Sequence, residues 1–523
     1  SFLISLSFTH TETQMIMVDL RYLFVIILLC LGIKVLIQAI NANRFRNKLP
    51  LPPSPIALPI IGHIHLLGPI AHQALHKLSI RYGPLIYLFI GSIPNLIVSS
   101  AEMANEILKS NELNFLNRPS MVNVDYLTYG SADFFSAPYG LHWKFMKRIC
   151  MTELFSSRAL ESFVSVRSEE LRSLMIRVLK KAEAEESVDL GEELKELTSN
   201  VITRMMFREK QPSDSDVCGK REEEVIKMVV ELNELAGFFN VSETFWFLRR
   251  LDLQGIKKRL KNARDRYDVI IERIMEEHES KRKNVAGTRN MLDVLLDIYE
   301  DKNAEIKLTR ENIKAFIMNI YGGGTDTSAT TVEWALAEMI NHPEIMKKAE
   351  QEIEKVVGNK RLVEESDLCN LSYIQAVVKE TLRLHPGGPI FVRESNEECA
   401  VAGFRIPAKT RVIFNVWAIG RDPNQWVDPL EFRPERFEGM QWKIMSEKMV
   451  SFGAGRRSCP GEKMVFRFVP LVLAAVIQCF ELEVKGRVEM NEGIGSSLPR
   501  ATPLVCVPVA KEAIQSFFPK LNF

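Results

Sequence analysis

The sequence predicts a mainly α-helical fold with a small β part, preceded by an N-terminal transmembrane helix. Apolar residues recur at helical spacing among Glu, Lys and Arg over four long segments: 159–183, 222–238, 254–283 and 332–357. Shorter β-branched runs at 84–89 and 96–99 are typical of strands. A nearly uninterrupted apolar stretch over 22–40, with Lys34 as its single charge, is long enough to cross a bilayer.

Composition limits the class of protein. The chain has 523 residues, 46% of them hydrophobic and 25% charged, which is ample apolar material for a large core. Lys and Arg number 67 against 66 Asp and Glu, so the charge gives no support to nucleic acid as a partner. The eight cysteines show no C-x-x-C spacing. This argues against a zinc or disulfide protein of the secretory lumen and favours a reducing compartment.

Four regions follow one another along the chain. They are a leader or unstructured segment at 1–16, a membrane anchor at 17–42, a basic and Pro-rich linker at 43–62, and a single domain at 63–523. Basic residues follow the anchor and no small-residue cleavage site does, which favours a retained anchor over a cleaved signal peptide. The positive flank then leaves the rest of the chain in the cytosol. The prolines of the linker make it stiff and extended.

One cysteine has an unusual setting. Residues 452–461 read Phe-Gly-Ala-Gly-Arg-Arg-Ser-Cys-Pro-Gly, so glycines on both sides of Cys459 allow a tight turn close to a flat ligand. A thiolate is a strong ligand for iron, and backbone amides with a helix starting near Gly461 would stabilise its charge. Arg457 carries a guanidinium suited to a carboxylate. The other cysteines are predicted to be small buried hydrophobes: Cys30, Cys150, Cys218, Cys369, Cys399, Cys479 and Cys506.

A run of three glycines interrupts a good helical pattern over 311–340. Gly322, Gly323 and Gly324 each cost about 1 kcal/mol relative to alanine in a helix. These residues alone leave two interpretations open, namely two helices joined by a glycine turn, or one helix kinked for a close approach. The following segment 325–328 adds hydroxyls and a carboxylate beside the interruption, which favours the second.

The frame around Cys459 resembles the haem-binding loop of the cytochrome P-450 family, F-x-x-G-x-R-x-C-x-G. The matching positions are Phe452, Gly455, Arg457, Cys459 and Gly461. This resemblance, which extends from the anchor to about residue 509, implies the cytochrome P-450 fold and haem b as cofactor. It also implies Cys459 as the iron ligand and Phe452 and Gly461 as haem contacts. Ser451 departs from the proline usual in plant members and is expected to loosen the start of the loop.

The glycine-interrupted helix resembles the family's A/G-G-x-D/E-T-T/S motif. The match covers Gly323, Gly324, Asp326, Thr327 and Ser328. By that resemblance Thr327 orients a water that delivers protons during oxygen activation, and Asp326 relays those protons.

Further matches concern the haem carboxylates. Trp143 and Lys147 fit the family's W-x-x-x-R/K helix, and Arg393 fits the arginine that follows its H-P motif. The resemblance implies that these residues, with Arg457, meet the haem propionates. Lys147 stands where many members have arginine, which puts bidentate contact in doubt.

A charged set is predicted to support the fold. Glu380 and Arg383 lie at i,i+3 on a predicted helix, which by itself is a common solvated pair. With the Pro-Glu-Arg-Phe run at 434–437 they resemble the family's E-x-x-R helix and its partner. That implies a buried structural network of Glu380, Arg383 and Arg436 near the Cys loop. His385, the rival metal ligand, is a single histidine without partners and is assigned no ligand role.

The resemblance implies a monooxygenase that takes O2, a lipophilic small molecule and electrons from NADPH through NADPH–cytochrome P-450 reductase. It also implies a single-pass protein of the endoplasmic reticulum membrane, with its catalytic domain facing the cytosol. Lys144, Arg148 and Lys463 would help to dock the acidic face of the reductase. The substrate pocket is predicted to be largely apolar and aromatic, with Tyr129, Phe134, Phe135, Gly323, Ile390, Phe391 and Leu498.

The residues at 383–395 and 417–423 resemble those of a plant group of enzymes that includes dihydroxypterocarpan hydroxylase and flavone synthase. This resemblance implies hydroxylation or oxidative desaturation of a flavonoid, isoflavonoid or pterocarpan, and a triterpenoid hydroxylase is the alternative. Two other readings are weaker. An enzyme that rearranges hydroperoxides without a reductase tends to lose the helix alcohol, and a non-catalytic haem protein would not need the pair Asp326 and Thr327.

Overall fold

A computed structural model describes residues 49–207, 234–248, 251–282 and 290–517, together with residues 25, 32, 225, 228, 229, 231 and 232. The predicted leader and, apart from residues 25 and 32, the predicted anchor lie outside the described residues. Within these ranges no helix has the length and apolar character that a bilayer crossing requires.

Helices make up most of the described chain. Those before the long interrupted helix are α1 (Ala71–Tyr82), α2 (Ala101–Asn105), α3 (Val122–Leu127), α4 (Leu141–Glu153), α5 (Ser157–Ser162), α6 (Val164–Glu183), α7 (Leu190–Phe207), α8 (Val241–Thr244), α9 (Ile256–Arg282) and α10 (Met291–Glu300). The remainder are α11 (Arg310–Gly324), α12 (Asp326–Asn341), α13 (Pro343–Val356), α14 (Ser372–Leu384), α15 (Val416–Ile419), α16 (Trp442–Lys448), α17 (Glu462–Cys479) and α18 (Glu512–Phe517).

The helical periodicity of the sequence is only partly matched by single helices. The pattern over 254–283 corresponds to α9, and the described residues between 225 and 237 of the pattern over 222–238 are helical. The pattern over 332–357 is divided between two helices, because α12 ends at Asn341 and Pro343 opens α13. Proline lacks the N–H that a helix interior needs but fits the first turn, so it starts a new helix here.

The β part is small, as predicted. Its strands are β1 (Leu85–Ile90), β2 (Ile93–Val98), β3 (Val188–Asp189), β4 (Ile390–Glu394), β5 (Cys399–Val401), β6 (Phe404–Ile406), β7 (Arg411–Asn415), β8 (Phe480–Glu483) and β9 (Val505–Ala510). The main sheet has the order β1-β2-β7-β4, with β2 parallel to β7 and the other pairs antiparallel. The runs predicted at 84–89 and 96–99 correspond to β1 and β2. The mainly helical fold with a minor β part is therefore confirmed.

The core lies around α12, which packs against α7, α14 and α17. Most of α12 is buried, and Trp334 at its centre is fully buried. Helix α17 is apolar along nearly its whole length, so both of its faces contribute to the core. This arrangement holds the glycine-interrupted helix and the loop before α17 in fixed positions inside the domain.

The described part of the predicted linker lies along the edge of the sheet. The Tyr87 N–H donates to the Pro53 carbonyl at 2.9 Å. The Nδ1 atom of fully buried His63 accepts the Phe89 N–H at 2.8 Å, so its Nε2–H donates to the Pro55 carbonyl at 3.0 Å. The chain is thus fixed to the domain before α1 begins.

Candidate active site

The Cys459 loop is a tight turn that precedes α17. Gly453 and Gly455 have φ angles of +69° and +70°, in the left-handed region that favours glycine. The Cys459 N–H donates to the Phe452 carbonyl at 2.9 Å, and α17 begins soon after at Glu462. The loop therefore closes on itself and presents Cys459 at the N-terminal end of a long helix.

The Cys459 thiol faces an internal space. Its side chain has exposed surface although it lies deep among protein atoms. Burial raises the pKa of the Cys459 thiol, while the Gly461 N–H and the charge of Lys147 act in the opposite direction. Amide donors, a nearby cation and a helix N-terminus are the surroundings that a thiolate metal ligand needs.

Three guanidiniums and one ammonium are gathered beside this loop. Burial, aided by the charge of Arg457, lowers the pKa of Arg393 to about 9, and burial lowers the pKa of Arg457 to about 10. Burial, followed by the charges of Arg393 and Arg457, also lowers the pKa of Arg118. Lys147 donates to the Ser458 carbonyl at 2.7 Å. Among the described residues, the hydrogen bonds of these four side chains all go to backbone carbonyls, and none of the four forms an ion pair. The buried Asp133 carboxylate opposes the lowering of the pKa of Arg118 and Arg457, so it offsets part of their charge.

This cation cluster (Arg118, Lys147, Arg393 and Arg457) fits a ligand with two carboxylates. The Nε atoms of Arg118 and Arg457 are buried without a hydrogen-bond partner among the described residues. Burying like charges costs several kcal/mol per ion unless opposite charges accompany them. Trp143 adds a flat apolar surface, since its ring centre lies 4.6 Å from the Arg457 guanidinium carbon. The residues present therefore fit haem, with its two propionates near the cations and its iron near Cys459.

Arg118 was not predicted from the sequence. It lies in a short irregular run at 117–119, where neither helical spacing nor a paired charge marks it. In the structure an isolated bridge between Asn117 and Glu394 joins this run to β4. The Arg118 guanidinium carbon lies 3.8 Å from the centre of the Phe135 ring. The one sequence signal was the proline that follows it, which favours an extended backbone and not a function.

The interrupted helix divides at Thr325, one residue after the glycines. Its ψ of −72° departs from the helical value, and the Ala329 N–H reaches its carbonyl only at 3.4 Å. The Thr198 hydroxyl of α7 donates to the same carbonyl at 3.1 Å. A Cβ on Gly324 would lie 2.7 Å from Ile202 Cδ1, so glycine permits the close approach of α7. The kinked helix with a close approach is the interpretation that the structure supports.

Open space lies on one side of this helix. A Cβ on Gly323 would meet no atom within 4 Å. The Thr327 hydroxyl donates to the Gly323 carbonyl at 2.8 Å, which keeps it beside that space. Asp326 is half-buried; burial raises its pKa, and the charge of Lys195 opposes the rise. A hydroxyl and a carboxyl whose pKa is raised thus belong to consecutive residues at the kink.

The predicted charged network is fully assembled. Both oxygens of Glu380 accept from Arg383, at 2.6 Å and 2.7 Å, and neither side chain has exposed surface. Glu380 also accepts from Arg436 Nε at 2.9 Å and from the Arg433 N–H at 2.7 Å. The network joins α14 to the 3₁₀ turn at Pro434–Phe437. Glu380 and Arg383 have no exposed side-chain surface and Arg436 has little, which fits a structural role.

Ser451 does not leave the start of the Cys loop loose. Its hydroxyl donates to the Leu382 carbonyl at 3.1 Å, which fastens the loop to α14. The loosening expected from the missing proline is therefore wrong. A side-chain hydrogen bond takes over the restraint that a fixed φ angle would provide.

Some of the predicted pocket residues are brought together. Phe134 packs against Phe316 of α11, with ring centres 5.5 Å apart. The Phe135 N–H donates to Asn319 Oδ1 at 3.1 Å, one helical turn before Gly323. Asn319 lies in a segment, 318–323, that the family resemblance places at the pocket, but it was not singled out, because an amide on a helix face carries no local signal. These aromatic side chains and Gly323 therefore share one region beside the interrupted helix.

Other predicted pocket residues lie apart. The Tyr129 hydroxyl donates to Asp268 at 2.5 Å, so it contacts α9. Ile390 and Phe391 point to opposite faces of β4, Ile390 towards the cluster that includes Leu75 and Phe391 onto Phe414. Leu498 is fully buried, and its carbonyl accepts the indole N–H of Trp334 at 2.7 Å. Adjacent strand residues cannot line one cavity together, so the predicted lining is too broad.

A mostly helical domain with a cysteine at a helix N-terminus, a cluster of unpaired cations and a kinked helix defines a haem-thiolate enzyme. The model of the Cytochrome P450 family matches residues 52–507. The chain belongs to the cytochrome P450 family and is a monooxygenase of that family, with haem as cofactor and electrons from NADPH through a reductase. It therefore takes O2 and a lipophilic substrate.

Known relatives cover nearly the whole chain. A 3,9-dihydroxypterocarpan 6A-monooxygenase of Glycine max is 50% identical over 503 residues, which are 93% of this chain and 98% of that protein. A beta-amyrin 24-hydroxylase of Glycine max is 41% identical over 512 residues, 95% of this chain and 99% of that protein. A zebra fish cytochrome P450 solved with progesterone superposes with a TM-score of 0.70 at 26% identity. It covers 84% of this chain and 99% of that structure.

Proposed function

We propose that this enzyme hydroxylates or desaturates a flavonoid, isoflavonoid or pterocarpan at the cytosolic face of the endoplasmic reticulum membrane, with Cys459 as the haem ligand. The observation that carries the proposal is the cation cluster beside Cys459. The Cys459 thiol has exposed surface deep in the domain, and in the described part of the chain the four cations beside it form no ion pair with a carboxylate. This leaves room for a ligand with a metal and two carboxylates.

Residues near the Cys loop contact different parts of this ligand. Arg118, Arg393 and Arg457 pair with the propionates, and Lys147 contributes charge from the side of the Cys loop. Phe452, Gly461 and Trp143 provide surfaces for the flat macrocycle. When bound, haem supplies the activation of O2 and the insertion of one oxygen atom into a C–H bond.

Thr327 and Asp326, at the interrupted helix, position water and transfer protons. The Thr327 hydroxyl is held at the Gly323 carbonyl, where it can also hydrogen-bond a water in the adjacent open space. Asp326, whose pKa is raised by burial, passes protons to that water from the side of Lys195. Reduction of O2 consumes protons, so Thr327 and Asp326 determine what fraction of the oxidised NADPH yields oxygenated product.

The substrate class rests on the aromatic region and on the relatives. Phe135, whose side chain is exposed, offers a flat apolar surface to a flat polycyclic phenol, and the pair Phe134 and Phe316 is buried in the same region. The relative that is named for 3,9-dihydroxypterocarpan has half of its residues in common with this chain. A triterpenoid is the second candidate, because the relative named for beta-amyrin also matches over nearly the full length.

An apolar surface supports membrane attachment in addition to the predicted anchor at 17–42. Two described segments carry exposed apolar side chains: Ile56, Leu58, Ile60, Phe238, Phe239, Phe247, Leu251 and Leu253. The turn between β1 and β2 joins them, since the Gly91 N–H donates to Ile61 and the Ser92 N–H to Thr244. Both apolar segments adjoin this turn, and exposed apolar side chains beside the Pro-rich segment fit a bilayer surface.

The membrane-bound NADPH–cytochrome P-450 reductase is the proposed electron donor. Lys144 and Arg148 project from α4, and Lys463 lies in the first turn of α17, beside the Cys loop. A basic surface on the thiolate side suits an acidic partner.

The first test is the absorption spectrum of the reduced, carbon-monoxide-bound protein in membranes. Thiolate ligation predicts a strongly red-shifted Soret band that Cys459→Ser abolishes. Cys150→Ala is the matched control, because Cys150 is another buried cysteine near the loop and should leave the band unchanged. A band that survives Cys459→Ser would contradict the ligand assignment and direct attention to His385.

The second test supplies reductase and NADPH with 3,9-dihydroxypterocarpan, a flavanone or beta-amyrin in turn. Mass spectrometry then distinguishes the gain of one oxygen from the loss of two hydrogens. Conversion of beta-amyrin alone would replace the proposed class with the triterpenoid alternative. Product formed from a lipid hydroperoxide without reductase would contradict the proposed electron supply.

A further inference from the structure

The Cys loop is contacted by a carboxylate from a distant part of the chain. Glu112 opens the 3₁₀ turn Glu112–Phe115, far from the loop in sequence. Its Oε1 accepts the Arg456 N–H at 2.6 Å, and its Oε2 lies 3.5 Å from the Arg456 guanidinium. Arg456 is three residues before Cys459, so this contact acts on the backbone that leads directly to the thiol.

The same carboxylate accounts for a glycine of the loop. Gly455 has a φ of +70°, and a Cβ built on it would lie 2.3 Å from Glu112 Oε1 and 3.0 Å from the Leu108 carbonyl. Any side chain at this position would displace Glu112 from its hydrogen bond. Gly455 is thus required by the approach of a carboxylate as well as by its own backbone conformation.

The segment that carries Glu112 also reaches the cation cluster. Arg118 is six residues further on, and the intervening chain is held to the sheet. The Asn114 Nδ2 donates to the Glu397 carbonyl at 2.9 Å, and the Glu397 N–H donates back to Asn114 Oδ1 at 2.7 Å. Residues 112–118 therefore form a restrained bridge between the Cys loop and the proposed propionate site.

We propose that Glu112 is a positioning residue for the haem-thiolate bond: its carboxylate fixes the Gly455–Arg456 backbone and so holds Cys459 at the iron. The inference rests on the proposed role of Cys459 as ligand. Loss of the carboxylate frees the turn, and Cys459 then leaves the iron more often. Glu112 touches neither haem nor substrate, so its effect is on the lifetime of the thiolate bond.

The experiment compares Glu112→Ala, Glu112→Gln and wild type as full-length haem proteins. The reduced, carbon-monoxide-bound form is followed in mild denaturant, and the decay of the red-shifted Soret band is timed. Tryptophan fluorescence in the same samples reports global unfolding. Glu106→Ala is the matched control, because Glu106 similarly accepts a backbone N–H, that of Ala402 at 2.8 Å, but does not touch the Cys loop.

A hydrogen bond to a charged acceptor stabilises by enough to change an equilibrium about tenfold or more. Glu112→Ala should therefore lose the band at least about tenfold faster than wild type, before the fluorescence changes. Glu112→Gln keeps an acceptor oxygen and should decay within about threefold of wild type. Glu106→Ala should decay like wild type.

A double-mutant cycle gives an independent measure. Gly455→Ala forces the carboxylate away, so it should accelerate the decay less when Glu112 is already alanine than when Glu112 is present. Additive effects would overturn the inference, and so would a Glu112→Ala protein whose band decays at the wild-type rate or only together with its fluorescence. Wild-type protein without a red-shifted band would overturn the proposed function, and this inference with it.

Discussion

Arg118→Met should raise the free energy of unfolding of the apoprotein and weaken haem binding. In the protein without haem, Arg118 is a half-buried cation close to two other guanidiniums and to the Asp133 carboxylate. Its one hydrogen bond among the described residues is long, 3.5 Å, to the Val392 carbonyl. In the loaded protein the same guanidinium is proposed to pair with a propionate. Methionine keeps the apolar contact with the Phe135 ring and removes the charge.

The magnitudes follow from the surroundings of Arg118. Replacing poorly compensated buried ions with apolar side chains stabilises proteins by roughly 1–4 kcal/mol. Because Arg118 is only half-buried and lies near Asp133, the apoprotein should gain about 1 kcal/mol, the lower end of that range. A hydrogen bond to a charged group contributes about 1.5–3 kcal/mol, which is roughly a 10- to 150-fold loss of haem affinity on removal. One substitution should therefore stabilise the apoprotein and weaken haem binding.

Two assays separate these effects. Urea unfolding of the apoprotein measures the gain, and haem transfer from the loaded protein to an excess of an apo-globin measures the loss. Arg167→Met is the control, because Arg167 has no exposed side-chain surface and pairs with Glu365, Nη2 to Oε2 at 2.9 Å. It should cost about 3–5 kcal/mol in both forms and leave haem affinity unchanged. An apoprotein destabilised by Arg118→Met, or unchanged haem transfer, would refute the reasoning.

Three further outcomes test the rest of the site and the fold. Glu380→Gln leaves Arg383 buried with a neutral partner and should cost about 3–5 kcal/mol in urea unfolding, with loss of haem during purification; a cost below 1 kcal/mol would contradict the network. Thr327→Ala should keep NADPH consumption but divert it from product to peroxide, measured as the ratio of product to NADPH; an unchanged ratio would remove Thr327 from proton delivery. Burial would raise the pKa of Glu492, but hydrogen bonds led by that from His72 outweigh it and lower the pKa to about 2 from the ordinary 4.5. Because the folded pKa is the lower one, this carboxylate stabilises the fold above pH 4.5 and less as the pH falls towards 2; Glu492→Gln should therefore cost about 3 kcal/mol at neutral pH in urea unfolding, and a cost that does not shrink in acid would contradict this.

The Cys loop could be predicted from sequence because its requirements are local. Glycines with left-handed φ, a thiol and a helix start must all occur within ten residues, so the sequence contains them as a compact pattern. The Glu380 and Arg383 pair is local in the same way, being one helical turn apart. Such features need no knowledge of how distant segments pack.

Arg118 and Glu112 could not be predicted, because their roles depend on distant segments. Glu112 meets the Cys loop only in the folded chain, where the turn after α2 contacts a loop more than three hundred residues later. A charged residue in an irregular segment is usually solvated, and nothing in the sequence separates these two from that majority. The kink at Thr325 was predicted in kind but not in position, because its location depends on the Thr198 hydroxyl from another helix.

Substrate choice is the least predictable part, for a geometric reason. Along a strand, neighbours such as Ile390 and Phe391 face opposite sides, so a correct segment still contains residues that cannot reach the pocket. Tyr129 illustrates a second difficulty, since it lies in the predicted segment but contacts α9 through Asp268. Sequence similarity therefore carries the substrate class further than any list of lining residues does.

The cation cluster links folding to the cofactor. Without haem, the burial of Arg118, Arg393 and Arg457 opposes folding, because burial lowers the pKa of each guanidinium. A protein selected for stability alone would replace one of them with an apolar residue. A dianionic ligand that binds only the folded chain explains why the three are present together, because its binding free energy exceeds the free energy lost on burying them. The three guanidiniums gathered beside Cys459 are thus the strongest physical argument for a ligand that carries two carboxylates.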